Sequence, residues 1–209
     1  MSSVLGKSQI ERFSRQLVLK NIGAIGQKKI LSAKILIVGV GGLGCPAAEN
    51  LTRAGVGSIG LVDNDTVNIS NIHRQSLFSS KDIKKTKVSV AAKKLKDINP
   101  DTIIKTYNTR LNEKNIKKII KNYDLIIDGS DNFKTKFLIN DYCLKFKKKL
   151  VTGAISKFDG HVFTFDFKDK KTASLKNFYQ EDDISDDILN CEFEGVLGTT
   201  ASVVGATQA

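Results

Sequence analysis

The feature that most constrains this chain is a glycine-rich turn between an apolar run and an alanine-rich stretch. Residues 34–38 are typical of a buried strand, and residues 46–54 favour a helix. Between them lie Gly39, Gly41 and Gly44, with the spacing G-x-G-x-x-G. Such a turn at the start of a helix lets backbone amides approach a phosphate closely, beside the partial positive charge of the helix end. The turn therefore predicts a phosphate site.

An acid follows at the place where the same pattern requires one. Residues 58–63 read as a second strand that ends at Asp63, 19 residues after the third glycine. A carboxylate at this position accepts hydrogen bonds from ribose hydroxyls. The sequence therefore predicts nucleotide binding, with a tight structural turn beside a coincidental acid as the alternative. The residues predicted to hold the nucleotide here are Gly39, Gly41, Gly42, Gly44 and Asp63.

Predicted strands and helices alternate through most of the chain. Further helices are predicted at residues 87–98, 113–121 and 133–146, and further strands at residues 103–107, 124–128 and 150–153. This alternation predicts a parallel sheet. Residues 161–167 alternate in character, as an antiparallel strand does. The predicted class is therefore α/β, with a Rossmann-like, mostly parallel sheet, helices on both faces and an antiparallel strand near the C-terminal end.

The chain divides into four predicted segments. Residues 1–33 are a helical N-terminal segment, and residues 34–167 are the nucleotide-binding core. Residues 168–194 are polar and become acidic, which is typical of a crossover loop. Residues 195–209 are small and apolar, and they predict the start of a C-terminal helix that the chain leaves truncated.

Charge raises the question of a nucleic-acid partner. The chain of 209 residues has 33 Lys and Arg against 22 Asp and Glu, a formal net charge of +11. A basic surface attracts phosphate backbones. The basic residues, however, are almost all lysines spread along predicted helices, without interleaved aromatic residues that stack on bases. Solvated helix faces explain them better, and no nucleic-acid partner is expected.

Hydropathy and cysteine content indicate the compartment. Hydrophobic residues make up 41% of the chain, enough for a buried core, yet no apolar run approaches the roughly 18 to 20 residues that cross a bilayer. The N-terminus has no signal-peptide stretch, and the three cysteines are scattered. We therefore expect a cytoplasmic protein with reduced thiols and no membrane partner.

Several ordered motifs carry a resemblance to a known family. They are residues 12–16 (RFSRQ), 39–45 (GVGGLGC), 54–57 (AGVG), 63–65 (DND), 70–75 (SNIHRQ), Lys87, residues 128–132 (DGSDN), and residues 190–191 (NC) with 195–196 (GV). Together they resemble the MoeB/ThiF/HesA group of adenylyltransferases, bacterial relatives of the ubiquitin-activating E1 enzymes. The resemblance covers the chain from about residue 11 and implies the use of ATP and Mg²⁺.

The resemblance also implies a reaction. Such an enzyme adenylylates the C-terminal glycine of a ubiquitin-like sulfur-carrier protein that ends in Gly-Gly, for thiamine or molybdopterin synthesis. The nucleophile is a carboxylate that is already ionised at neutral pH, so no general base is required. Negative charge builds on the departing pyrophosphate, and fixed cations must meet it.

Residues that follow Asp63 in the chain are the candidates for groups that bind the phosphates and Mg²⁺. Arg74 and Lys87 are predicted to reach the triphosphate, and Asn71 to contact phosphate or ribose. Asp131 follows a predicted strand at the carboxyl edge of the sheet, where a carboxylate suits Mg²⁺. Each has a simpler alternative: Arg74 and Lys87 as solvated charges, and Asp131 as the N-cap of the helix that begins near Phe133.

Arg15 and Cys191 are assigned through the resemblance. Arg15 lies before the first strand, too far back in the chain to be an obvious member of the same pocket, and the resemblance implies that it reaches the ATP of the other subunit in a homodimer. Cys191 lies where some relatives form a thioester or acyl disulfide with the activated partner. Its acidic neighbours Glu192 and Glu194 would raise the thiol pKa, so a structural role stays an alternative.

We expect no zinc site. Many members of the group hold zinc with two Cys-x-x-Cys pairs, whereas residues 174–177 of this chain, where the first pair would align, read SLKN. Three scattered cysteines cannot form a four-thiolate site.

Two other functions stay open at this point. An NAD-dependent oxidoreductase uses the same glycine turn, but it gives residues 12–16 and 70–75 no evident task. A catalytically incomplete E1-like subunit or fragment fits the predicted truncation, but not the presence of Arg15, Arg74, Lys87 and Asp131 together.

Overall fold

The computed structural model describes residues 5–179 and 195–209. Between residue 5 and the first strand lie three helices: α1 (Lys7–Arg12), α2 (Ser14–Leu17) and α3 (Gly23–Ser32). The following elements are β1 (Lys34–Val38), α4 (Gly44–Ala54), β2 (Ser58–Val62), α5 (Lys87–Ile98), β3 (Ile103–Tyr107), α6 (Ile116–Ile120), β4 (Leu125–Asp128), α7 (Phe133–Lys145), β5 (Lys149–Ser156), β6 (Asp159–Asp166) and α8 (Gly198–Gln208). Short 3-10 helices lie at Ile69–Asn71, Ser80–Asp82 and Leu175–Asn177.

The strands of the described residues form one six-stranded sheet in the order β3-β2-β1-β4-β5-β6. All neighbours pair in parallel except β5 and β6, which form an antiparallel pair. The chain moves outward from β1 in one direction through β2 and β3, and then crosses to β4 on the other side. The strand order therefore reverses between β1 and β4, and ligands of open α/β sheets bind at the carboxyl edge beside such a point.

Alternating strand residues build a core on each face of the sheet. Ile35 and Ile37 of β1 pack with residues of α4 and α5, whereas Leu36 and Val38 pack with residues of α6 and α7. Because successive side chains of a strand point to opposite faces, a strand with four consecutive buried residues requires cover on both sides. The predicted α/β class, with helices on both faces and an antiparallel strand at the C-terminal end, is confirmed.

Several element boundaries differ from those predicted. The helix predicted from residue 113 begins at Ile116, because the preceding residues form a side-chain-capped turn in which Lys114 N donates to Asn112 Oδ1 at 2.9 Å. The strand predicted to end at residue 153 continues to Ser156, because it pairs along its whole length with β6 in a tight hairpin. Local sequence does not reveal how far a hairpin partner extends a strand.

The C-terminal helix α8 packs across α4, β5 and β6. A side chain in place of Gly205 would meet the carbonyl oxygen of Leu43, and one in place of Gly160 would meet Val204. At the last turn, Gln208 Nε2 donates to the carbonyl oxygen of Asp128 at 2.8 Å. Helix α8 thus braces the ends of β4 and β5 that carry the candidate site. Within the described ranges, no helix combines the length and the apolar character that crossing a membrane requires.

Candidate nucleotide-binding site

The glycine turn after β1 is tightly packed against the end of β4. Gly39 has φ +84°, and a side chain there would have its Cβ 2.7 Å from the carbonyl oxygen of Gly129. A Cβ on Gly44 would collide with the carbonyl oxygen of Gly39. Both positions therefore require glycine, for backbone conformation at Gly39 and for close approach at Gly44. Gly41 and Gly42 lie on the part of the turn that lines a cleft.

Asp63 is held directly beside this turn. Its Oδ2 accepts a hydrogen bond from Val40 N at 2.8 Å, and its Oδ1 accepts one from Asp65 N at 2.8 Å. Burial raises the pKa of Asp63, while the charge of Lys87 and the two backbone donors act in the opposite direction. The two donors fix the carboxylate and leave further lone pairs that can accept from ribose hydroxyls.

A cleft of about 950 Å³ opens at the carboxyl ends of β1 to β4. It brings together most of the residues that the sequence singled out. The predicted site residues along its walls are Gly39, Gly41, Gly42, Asp63, Asn71, Arg74, Lys87 and Asp131. Gly44 lies beneath the wall, and Arg15 lies outside it, exposed on α2. Cys191 lies outside the described residues.

Both cationic side chains are oriented by neighbouring groups. Lys87 is only 5% exposed, and its Nζ lies 2.9 Å from Asp65 Oδ2. Arg74 Nη1 donates to the carbonyl oxygen of Ser70 at 2.9 Å and lies 2.9 Å from His73 Nε2. Lys87 is therefore not a freely solvated surface charge, whereas Arg74 is half-buried with Nη1 engaged by its neighbours.

The alternative role considered for Asp131 is wrong. Asn132 is the N-cap of α7, because its side chain accepts a hydrogen bond from Thr135 N at 2.9 Å. Asp131 is exposed and accepts only a hydrogen bond from Asn132 Nδ2, at 3.1 Å, among the bonds within residues 5–179. Its carboxylate is therefore accessible from the cleft.

A buried ion pair forms the floor below Asp131. Lys136 Nζ lies 3.2 Å from Asp128 Oδ2 and donates to the carbonyl oxygen of Gly153 at 2.6 Å. The same Asp128 oxygen accepts from Thr152 Oγ1 at 2.6 Å, and Asp128 Oδ1 accepts from Ser130 N at 2.9 Å. The pair joins β4, β5 and α7 beneath the turn that carries Asp131.

Sequence reasoning assigned no role to several polar residues that line the cleft, among them Asp65, Gln75, Arg110 and Lys136. Asp65 and Gln75 stand inside motifs that carried the resemblance. Arg110 follows β3, so the rule that ligands collect at the carboxyl ends of parallel strands could have found it. Lys136 gives no local signal, because it is one of many lysines on helices.

The two described cysteines do not take part in the site. Cys45 on α4 and Cys143 on α7 are fully buried in separate core clusters. Burial raises the pKa of the Cys45 thiol to about 12, so it is protonated and unreactive at neutral pH. Over residues 5–179 and 195–209, no three His, Cys, Asp or Glu side chains are grouped as metal ligands.

The sheet order, the glycine turn and the cleft at the switch point define a protein of the Rossmann class. A model of the ThiF family matches residues 13–209, and the chain belongs to the ThiF family.

Curated relatives carry names that agree with this membership. A probable molybdopterin-synthase adenylyltransferase of Gracilaria tenuistipitata var. liui is 38% identical over 208 residues, which cover 100% of this chain and 58% of that protein. A sulfur carrier protein adenylyltransferase of Thermus thermophilus is 36% identical over 97% of this chain and 76% of its own length. This chain thus spans little more than half of the first of these relatives.

Solved structures share the fold. Escherichia coli MccB with MccA-N7isoASN superposes with a TM-score of 0.81 at 22% identity, covering 96% of this chain and 62% of that chain. The Escherichia coli tRNA N6-threonylcarbamoyladenosine dehydratase TcdA, solved in complex with AMP, is 30% identical with a TM-score of 0.67, covering 72% of this chain and 61% of that chain.

Proposed function

We propose that this chain is an E1-like adenylyltransferase of the cytoplasm. It uses ATP to adenylylate the C-terminal glycine carboxylate of a ubiquitin-like sulfur-carrier protein, and it releases pyrophosphate. The observation that carries the proposal is the convergence of Arg74, Lys87 and Asp131 on one cleft beside the glycine turn. Relatives named as adenylyltransferases of molybdopterin synthase and of a sulfur carrier protein support it.

The residues of the cleft fit ATP as a substrate. The cleft volume of about 950 Å³ lies at the upper end of the range for small-molecule sites. Asp63 has acceptor capacity for the ribose, and the part of the turn at Gly41 and Gly42 that lines the cleft suits a phosphate. Arg74 and Lys87 would bind the β- and γ-phosphates, where negative charge grows as pyrophosphate departs.

Asp131 fits Mg²⁺, because this ion binds through one or two carboxylates together with phosphate oxygens and water. Its carboxylate is accessible and is engaged only by the amide of Asn132 in the described part of the chain. Bound there, Mg²⁺ would neutralise charge on the phosphates.

The chemistry requires no proton transfer by the protein. A carboxylate oxygen of the carrier attacks the α-phosphorus of ATP, a new phosphorus–oxygen bond forms, and the bond to pyrophosphate breaks. The attacking group is ionised at neutral pH, so no base is needed. The two histidines, His73 and His161, are both exposed, and His73 is engaged with Arg74. The task of the cleft is therefore to hold two anions together and to stabilise the leaving group.

The carrier can be identified directly. With ATP and Mg²⁺ present, we expect the protein, used as bait in an extract of its source cells, to capture a small ubiquitin-like protein that ends in Gly-Gly. The captured carrier should then support ATP–pyrophosphate exchange, and its sequence should distinguish thiamine from molybdopterin synthesis. Capture without ATP dependence, or a carrier that supports no exchange, would contradict the proposal.

We further propose a homodimer in which Arg15 of one protomer completes the site of its partner. Arg15 is exposed on α2 and does not line the cleft of its own chain. We expect the Arg15→Ala homodimer and the Arg74→Ala homodimer each to be inactive, because every active site then lacks one of its cations. Mixed and re-equilibrated, they should recover about a quarter of the wild-type exchange, because half of the dimers are mixed and one site of each is intact. No recovery from a mixture of verified dimers would show that Arg15 does not act across the interface.

A further inference from the structure

Gln75 is a buried polar residue in the wall of the cleft whose side chain is not fully paired. It is only 3% exposed, and it lines the cleft next to Arg74. Its Oε1 atom is buried and accepts no hydrogen bond from the described residues. Buried polar atoms of native proteins are almost always paired, so an unpaired acceptor at a cleft points to a group that the cleft has yet to receive.

The backbone holds Gln75 in this place. Its N–H donates to the carbonyl oxygen of Asn71 at 3.0 Å, and its carbonyl oxygen accepts from Phe78 N at 3.0 Å. Its Nε2 is 3.7 Å from the position that a Cβ on Gly41 would take, while Arg74 Cγ is 3.6 Å from the corresponding position on Gly42. Two consecutive side chains therefore flank the turn where the phosphate is expected.

The side-chain carboxamide of Gln75 limits which ligand groups can form a hydrogen bond with Oε1. The phosphates of ATP offer only acceptors, so they cannot satisfy Oε1. A peptide group offers both an N–H and a carbonyl oxygen, the pattern that a carboxamide complements. In the structure Nε2 is the amide atom beside Gly41, and Oε1 is enclosed. The terminal bond of a glutamine side chain has no strongly preferred rotamer, and a half-turn about it brings Oε1 to the position beside the turn.

We propose that Gln75 is a substrate-binding residue that recognises the peptide backbone at the end of the carrier tail, with Oε1 accepting a hydrogen bond from the N–H of the terminal glycine. This inference rests on the proposed function. The last residues of the carrier tail are glycines, which have no side chain. An enzyme can therefore recognise them only through their backbone groups. The terminal N–H belongs to the same glycine as the reacting carboxylate, so a contact to it would lie close to the reacting atoms.

The test is a double-mutant cycle between enzyme and carrier. The carrier captured as described above is prepared by ligation with glycine or with sarcosine, N-methylglycine, as its last residue, so that only the terminal N–H is lost. Sarcosine at the penultimate position is the matched control. On the enzyme, Gln75→Met removes the amide at nearly constant volume. The rate measured is kcat/KM for carrier-dependent ATP–pyrophosphate exchange.

We expect terminal sarcosine to lower kcat/KM of the wild type by about 10- to 100-fold, and Gln75→Met to lower it similarly with the glycine carrier. In Gln75→Met, terminal sarcosine should cause little further loss, because the two changes remove the same bond. Sarcosine at the penultimate position should change kcat/KM of the wild type and of Gln75→Met by the same factor. The melting temperature of the free protein should not fall, and its increase on adding Mg²⁺ and a non-hydrolysable ATP analogue should be the same in both enzymes.

Other results would overturn the inference. Equal sarcosine effects in the wild type and Gln75→Met would show that Gln75 does not contact the terminal N–H. A smaller nucleotide-induced increase in Gln75→Met would assign the amide to the nucleotide instead. Absence of exchange by the wild type with the glycine carrier would contradict the proposed function itself, and this inference with it.

Discussion

Replacing Arg74 or Asp131 by alanine is expected to lower ATP–pyrophosphate exchange by about 1000-fold or more while the protein folds as before. Arg74 carries a fixed positive charge beside Gly42, and its loss would remove one of the two side chains, Arg74 and Lys87, that we propose to bind the departing pyrophosphate. Asp131 is an accessible carboxylate in the turn after β4, and its loss would remove the ligand proposed for Mg²⁺. Exchange of labelled pyrophosphate into ATP measures both effects.

Matched controls lie outside the cleft. Asp97 is an exposed carboxylate on α5, and Arg53 forms an exposed ion pair with Glu49 on α4. Alanine at either position should leave exchange within about twofold of wild type, because exposed charges of this kind contribute little. Exchange that survives in Arg74→Ala or Asp131→Ala, with melting temperatures equal to wild type, would remove that residue from the site.

The second large effect concerns stability. Lys136→Met should lower the free energy of unfolding by about 3 to 5 kcal/mol, because it leaves the carboxylate of Asp128 buried without its cation. Both side chains are almost fully buried, with exposed fractions of 5% for Lys136 and 1% for Asp128. A loss of this size is a large part of the roughly 5 to 15 kcal/mol that stabilises a typical domain. Urea denaturation followed by circular dichroism measures it.

The double variant Lys136→Met with Asp128→Asn separates loss of the ion pair from loss of packing. Asparagine keeps an acceptor for Ser130 N and can donate to the hydroxyl of Thr152, so it needs no cation. We expect the double variant to recover more than half of the lost stability. A double variant no more stable than Lys136→Met would show that the lysine acts through packing and through its bond to Gly153 rather than through charge.

Much of the fold could be predicted from the sequence, because its signals are local. The glycines after β1 and the apolar runs of β1, β2 and β4 identified the first half of the sheet. Boundaries were less accurate where a partner decides them, as in the hairpin of β5 and β6. The cap of α7 was assigned to Asp131 as an alternative, but the backbone turn gives that role to the next residue, Asn132.

The sequence could predict those residues of the candidate site that come directly after a strand. Asp63 and Asp131 each follow a parallel strand, and the carboxyl ends of such strands meet at one edge. Arg15 shows the limit of this reasoning, because it lies outside the cleft of its own chain and its proposed role depends on a second copy.

The sequence by itself determined the order of strands and helices and the place of the phosphate turn, because residue spacing and backbone preference act over a few neighbouring residues. Only the tertiary structure decided which of the many lysines face the cleft, that Lys136 neutralises Asp128 beneath it, and that the side-chain oxygen of Gln75 is buried without a partner among residues 5–179 and 195–209. Burial and pairing depend on residues far apart in the chain that meet only once the sheet has formed and α8 has packed across it.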